Sequence, residues 1–185
     1  IKKHKLIAVV INKENLHVFS FLGNKVYVYA HRYGYIYNTK HVENGMYFLG
    51  NDNKGITQIY YYDALINSVN KITEFSSSVI SYDANDKFII ASVKSKRKKN
   101  GFAYSDVYLI HDNASQVMFS PDMQVSKIDL HPFNKEIAFN AKWIDHELEV
   151  TSEIGIYDFN SKRYVILTKS SGVDTTPVYS PEGES

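Results

Sequence analysis

The feature that most constrains this chain is a repeat. Ile59-Tyr60-Tyr61-Tyr62-Asp63 returns as Val107-Tyr108-Leu109-Ile110-His111 and as Ile154-Gly155-Ile156-Tyr157-Asp158, ending at 63, 111 and 158, so the spacings are 48 and 47 residues. After each comes a second echo: Lys71-Ile72-Thr73, Met118-Phe119-Ser120 and Ile166-Leu167-Thr168. A third register follows each pair, in Ile80-Ser81-Tyr82-Asp83-Ala84-Asn85-Asp86-Lys87, Ile128-Asp129-Leu130-His131-Pro132-Phe133-Asn134-Lys135 and Pro177-Val178-Tyr179-Ser180-Pro181-Glu182-Gly183-Glu184. A fixed period of this length means that each copy is one supersecondary unit, unable to bury its apolar face alone.

Each unit holds four strand candidates: one before a tight polar turn, one after it, the Tyr-rich segment, and a last strand ending in Thr or Ser. Pro pre-sets φ in the turn, and Asn or Gly accepts its left-handed corner. Fifteen Tyr and ten Phe in 185 residues favour pleated, half-buried surfaces. The fold class is therefore all-β. Short connections make neighbouring strands antiparallel, and a twisted four-stranded sheet repeated radially is the blade of a β-propeller.

Residues 1–30 are expected to form a partial blade, with Leu22-Gly23-Asn24-Lys25 as a hairpin turn. Blades follow at 31–74, 75–121 and 122–169, and 170–185 begins a further one. About three complete blades with partial blades at both ends would leave strand edges open, so further blades or a covering partner are expected. The first residue is Ile1, which suggests a leader or upstream domain already removed.

The run Thr176-Pro177-Val178-Tyr179-Ser180-Pro181-Glu182-Gly183, with Met46-Tyr47-Phe48, Asn51-Asp52-Asn53-Lys54-Gly55, Ile59-Tyr60-Tyr61-Tyr62-Asp63 and Ile72-Thr73, resembles the WD40-like (PD40-type) propeller repeat of the TolB family. The middle repeat departs from it, with Asp83-Ala84-Asn85 at the Ser-Pro-Asp-Gly position and a long insertion between its second and third strands. The resemblance implies one of two roles. TolB-like chains are periplasmic adaptors that bind protein partners without catalysis, and similar propellers form the substrate-gating domain of prolyl-oligopeptidase-like and tricorn-like serine peptidases. It also implies a periplasmic location, with the cytoplasm as the alternative.

Two segments are candidate partner-binding loops. Lys94, Lys96, Arg97, Lys98 and Lys99, closed by Asn100-Gly101, form a basic insertion that would meet an acidic protein, phosphate or lipid headgroups, or would be a solvated hairpin. Trp143, Asp145, His146 and Glu147 hold the single Trp and the densest acidic cluster, at the same place in the following repeat. Side chains of sequence neighbours diverge on an extended chain, so this reads as a hairpin loop and not as a metal site. Opposite charges on the two loops would form a mixed polar rim.

Asp63 and Asp158 recur once per repeat and are expected to accept backbone N–H bonds in the turn to the last strand. Tyr35, Tyr37, Tyr60, Tyr61 and Tyr62 would be strand packing or an interaction face. The sequence carries no nucleophile elbow, zinc helix, P-loop or dinucleotide fingerprint, so no catalytic, cofactor or metal residue is assigned. Twenty-one Lys and Arg balance twenty Asp and Glu, so no nucleic-acid partner is expected. No apolar run is long enough to span a membrane, and any membrane association would run through a partner.

Overall fold

The computed structural model describes residues 6–20, 22–112, 114–133, 135–145, 147, 149–170 and 172–183, all in strands, turns and extended chain. The chain forms two compact units, Ile1–Ser78 and Val79–Ser185. Unit one contains a three-stranded sheet of β1 (Leu6–Ile11), β2 (Asn15–Ser20) and β3 (Lys25–Ala30). Its second sheet has four strands, β4 (Tyr37–Val42), β5 (Gly45–Asn51), β6 (Thr57–Asp63) and β7 (Ser68–Lys71). Unit two contains β8 (Val79–Ala84), β9 (Ile89–Lys99), β10 (Phe102–His111) and β11 (Ala114–Phe119), then β12 (Gln124–Leu130), β13 (Glu136–Ile144), β14 (Val150–Asp158) and β15 (Arg163–Ile166). Each strand pairs antiparallel with its sequence neighbour, the meander that the four-strand repeat predicts.

Aromatic and β-branched residues make these sheets stack. In unit one, Leu16 and Val18 of β2 face Met46 and Phe48 of β5 and Tyr60 and Tyr62 of β6, all buried. The Phe48 and Tyr60 rings stack at 5.5 Å, and Tyr27 stacks on Tyr62 at 5.3 Å. In unit two, Ile90 and Val107 meet Val125, Ile137, Phe139 and Tyr157. Phe119 at the end of β11 stacks on Tyr157 at 4.3 Å, joining one sheet to the next. A Cβ on Gly155 would lie 2.6 Å from the Phe139 ring, so glycine here lets the ring approach the β14 backbone. Truncating Phe139 to Ala would cost about 3–5 kcal/mol.

Polar groups set how the two sheets of unit two meet. The buried Ser92 hydroxyl donates to the Val125 carbonyl at 2.7 Å, and the Ser105 hydroxyl oxygen accepts the Val125 N–H at 3.0 Å. On the first strands, Asp83 accepts the Leu130 N–H at 2.9 Å, and Asp129 accepts the Tyr179 N–H at 2.7 Å. Each such carboxylate holds the backbone 47 or 50 residues further along the chain, a step of about one repeat. The first strand of the fourth sheet is thereby fastened beside that of the third.

Candidate functional site

The turn between second and third strands is the part that differs most among the four-stranded sheets, and its supports begin inside each sheet. Near the start of each third strand lies Gln58, Asp106 or Glu153, spaced by 48 and 47 residues. The Gln58 amide oxygen accepts the Thr73 hydroxyl at 2.7 Å and the Phe75 N–H at 3.1 Å, while its NH2 donates to the Phe75 carbonyl at 2.8 Å. Thr73 in turn accepts the Ile59 N–H at 2.9 Å. Glu153 repeats the device, accepting the Thr168 hydroxyl at 2.5 Å and the Ser170 N–H at 3.2 Å, with Thr168 accepting the Ile154 N–H. In the middle sheet Asp106 stands at the same register, with Ser120 in the place of Thr73 and Thr168. The closing Thr or Ser of each repeat is thus the partner of a buried or half-buried side chain that sequence reading overlooked.

Asp106 has a second duty. Burial alone would raise its pKa, but hydrogen bonds from Ser120, Ser95 and Arg97, and the Arg97 charge, hold it below the usual carboxylate value. The Arg97 guanidinium lies 3.0 Å from Asp106 and 2.8 Å from Asp122, and also donates to the carbonyls of Pro121 at 3.2 Å and Ser105 at 3.3 Å. It sits 5.8 Å over the Tyr104 ring. Arg97 is therefore a structural fork fastening the β9–β10 hairpin to the start of the following sheet.

The basic segment is strand, not an irregular insertion. β9 continues to Lys99 and pairs Lys99 with Phe102 and Lys98 with Ala103. Asn100 and Gly101 both have positive φ, 50° and 81°, which suits a two-residue primed turn following the twist of the ribbon. Between the pairs Lys94–Ser105 and Lys98–Ala103 the register shifts, setting 95–97 against Tyr104 alone. Lys94, Lys96, Lys98 and Lys99 are exposed, and none has a carboxylate partner among the described residues.

The acidic hairpin is closed on itself. The Asp145 carboxylate accepts the N–H groups of Glu147 at 2.8 Å and Glu149 at 3.0 Å, and the Asp145 N–H donates to the Glu149 carbonyl. The turn after β5 is built alike, with Asp52 accepting from Lys54 and Ile56. Trp143 is half-buried against the unit-two core instead of being displayed. His146 lies outside the described residues. Arg97 answers Asp106 and Asp122 and not the acidic hairpin, so the structure brings the two predicted loops onto adjacent sheets without an ion pair through that arginine.

Asp63 accepts the Leu65 N–H at 2.8 Å, and Asp158 accepts the Ser161 N–H at 2.6 Å, the turn-forming task expected of them. The Tyr candidates divide. Tyr60 and Tyr62 are buried, burial pushes Tyr60 up to about 12, and Tyr61 lies against Tyr47 at 4.7 Å. Tyr35 and Tyr37 are exposed with Tyr33, which the sequence did not single out. Behind them His31 is 5% exposed, its Nε2–H donating to the Asn51 carbonyl at 2.8 Å while Nδ1 accepts the Tyr29 hydroxyl at 3.0 Å. Burial lowers its pKa against the opposing effect of that carbonyl. Among the described residues no three His, Asp or Glu gather as metal ligands.

No family model and no curated protein matches the chain. Solved structures do. A putative TolB from Agrobacterium tumefaciens superposes with a TM-score of 0.66 at 15% identity, covering 97% of this chain and 63% of its own. In fold, this is a β-propeller. TolB from Acinetobacter baumannii gives 0.63 at 16% identity over 97% of this chain and 45% of that one. The β-propeller domain of the Trilobed protease from Pyrococcus furiosus gives 0.59 at 17% over 88% and 53%. The chain thus spans 63%, 45% and 53% of the length of these chains, and its four-stranded sheets are blades.

Proposed function

We propose that this propeller is a non-enzymatic scaffold that binds a protein partner at the blade end carrying the turns between second and third strands. One observation carries the reading: in the second unit, two adjacent blades present different turns there, the lysine ribbon and the closed Asp145 hairpin. A rigid frame with variable loops is the usual form of a recognition surface. Likeness to TolB structures supports an adaptor role in the periplasm. Likeness to a protease propeller favours a second reading, the gating domain of a larger serine peptidase.

The native full-length protein, treated with a fluorophosphonate probe, separates them. A scaffold stays unlabelled and yields one reproducible partner on cross-linking in the periplasmic fraction. Stoichiometric labelling of a serine on the same polypeptide overturns the scaffold reading.

A further inference from the structure

We propose that the lysine ribbon of β9–β10 docks an extended acidic segment of a protein partner; this deepens the scaffold reading and rests on it. Six residues of strand span about 20 Å. Along that length Lys94, Lys96, Lys98 and Lys99 stand exposed on a ribbon whose base is immobilised by four acceptors of one guanidinium. The nearby carboxylates Asp106 and Asp122 are already engaged by Arg97, so they leave the four ammonium groups unneutralised. A fixed array of like charges, held by a cation that consumes the local anions, is arranged to meet a complementary string of charges from outside.

The chemistry of the ribbon selects a polypeptide. Its tip is Asn100-Gly101, and Phe102 behind it is half-buried, so no exposed apolar side chain at the tip would enter a bilayer. Charge alone gives only one of the two signals that stable membrane attachment takes. Of the two aromatics in the ribbon, Phe102 is half-buried and Tyr104 has the Arg97 guanidinium over its ring, so neither stands out as an exposed stacking platform for a nucleobase. Ammonium groups are flexible point charges without the fork geometry that fixes phosphate bidentately. They tolerate carboxylates at uneven spacing, as an acidic segment without regular structure presents them.

The test uses a fluorescein-labelled deca-glutamate peptide and fluorescence anisotropy at salt of about 0.01 M and about 0.15 M, where the screening length falls from ~30 to ~8 Å. The variant Lys94→Ser/Lys96→Ser/Lys98→Ser/Lys99→Ser is compared with Lys25→Ser/Lys54→Ser/Lys87→Ser/Lys162→Ser, which removes equal charge from exposed positions elsewhere. The expected result is a loss of about tenfold or more in affinity at low salt for the ribbon variant and less than about twofold for the scattered one. Equal losses in the two variants would mean attraction to net charge and overturn the proposal. Ribbon-dependent binding to phosphatidylglycerol vesicles without binding to the peptide overturns it in favour of a membrane. A fluorophosphonate-labelled serine would sink the scaffold reading while leaving this peptide measurement interpretable, so the two failures are distinct.

Discussion

The middle blade of the three four-stranded sheets differs from its neighbours at one corner. In the second and fourth sheets the turn after the second strand folds back on its own aspartate, Asp52 or Asp145, and the side chain of the clamp residue inside the sheet, Gln58 or Glu153, holds the segment just after the last strand. In the third sheet Asp106 stands at the clamp position, with Ser120 at the register of Thr73 and Thr168, and its carboxylate accepts from the Arg97 guanidinium at 3.0 Å. Exchanging a longer side chain for aspartate lets one carboxylate hold the outer strand and anchor a long hairpin. The scaffold is thus repeated while its display is altered, and a single shared group couples the two.

The largest effect that tests this comparison is expected at Gln58, which is wholly buried and makes three hydrogen bonds. Gln58→Leu would strand the Phe75 N–H, the Phe75 carbonyl and the Thr73 hydroxyl, and is expected to cost about 3 kcal/mol in a urea titration. A cost under about 1 kcal/mol would mean that the clamp does not hold the segment after β7, and that the matching geometry at Glu153 has no energetic weight either.

Arg97→Ala comes next, at about 1–2 kcal/mol at neutral pH, because Asp106 is half-buried while Asp122 is exposed and water still reaches the guanidinium. Its pH dependence is more telling. The Asp106 pKa is depressed in the folded chain, so the stability it contributes is fully present above the ordinary carboxylate value near 3.9 and is lost as pH falls through the folded value. The gap between wild type and Arg97→Ala is therefore expected to narrow on acidification below about pH 4. A constant gap from neutral pH down to about pH 2 would show that Arg97 acts through packing on Tyr104 and the carbonyls instead of through Asp106.

The sheets were legible in the sequence where the same residue types recur at the repeat spacing, as at Asp63 and Asp158, because one turn chemistry repeated needs one kind of side chain. The clamp obeyed the same spacing but escaped notice. An amide, a short acid and a long acid look unrelated until their shared partner, Thr73, Ser120 or Thr168, is placed opposite. The Asn100-Gly101 hairpin turn was legible in the sequence, but a lysine run has little local strand preference and gave no sign that β9 pairs as far as Lys99. Within β9, Arg97 reaches Asp122, 25 residues away, a contact no local pattern reveals. Trp143 was placed in the candidate hairpin loop, yet it continues β13 and packs on the core.

The smallest expected effect separates cations that are neighbours in sequence. The four-lysine ribbon variant removes four times the charge of Arg97→Ala, but these side chains lie in water and their stems cover no core. Its stability is expected to stay within about 0.5 kcal/mol of wild type, since surface substitutions away from specific contacts rarely exceed that. Mutual repulsion among the lysines is relieved at the same time, which would tilt any change toward slight stabilisation at low salt. A loss comparable to that of Arg97→Ala would show that the lysines help to hold the hairpin against the blade. The division between one anchoring cation and four displayed ones, on which the distinct character of the middle blade rests, would then fail.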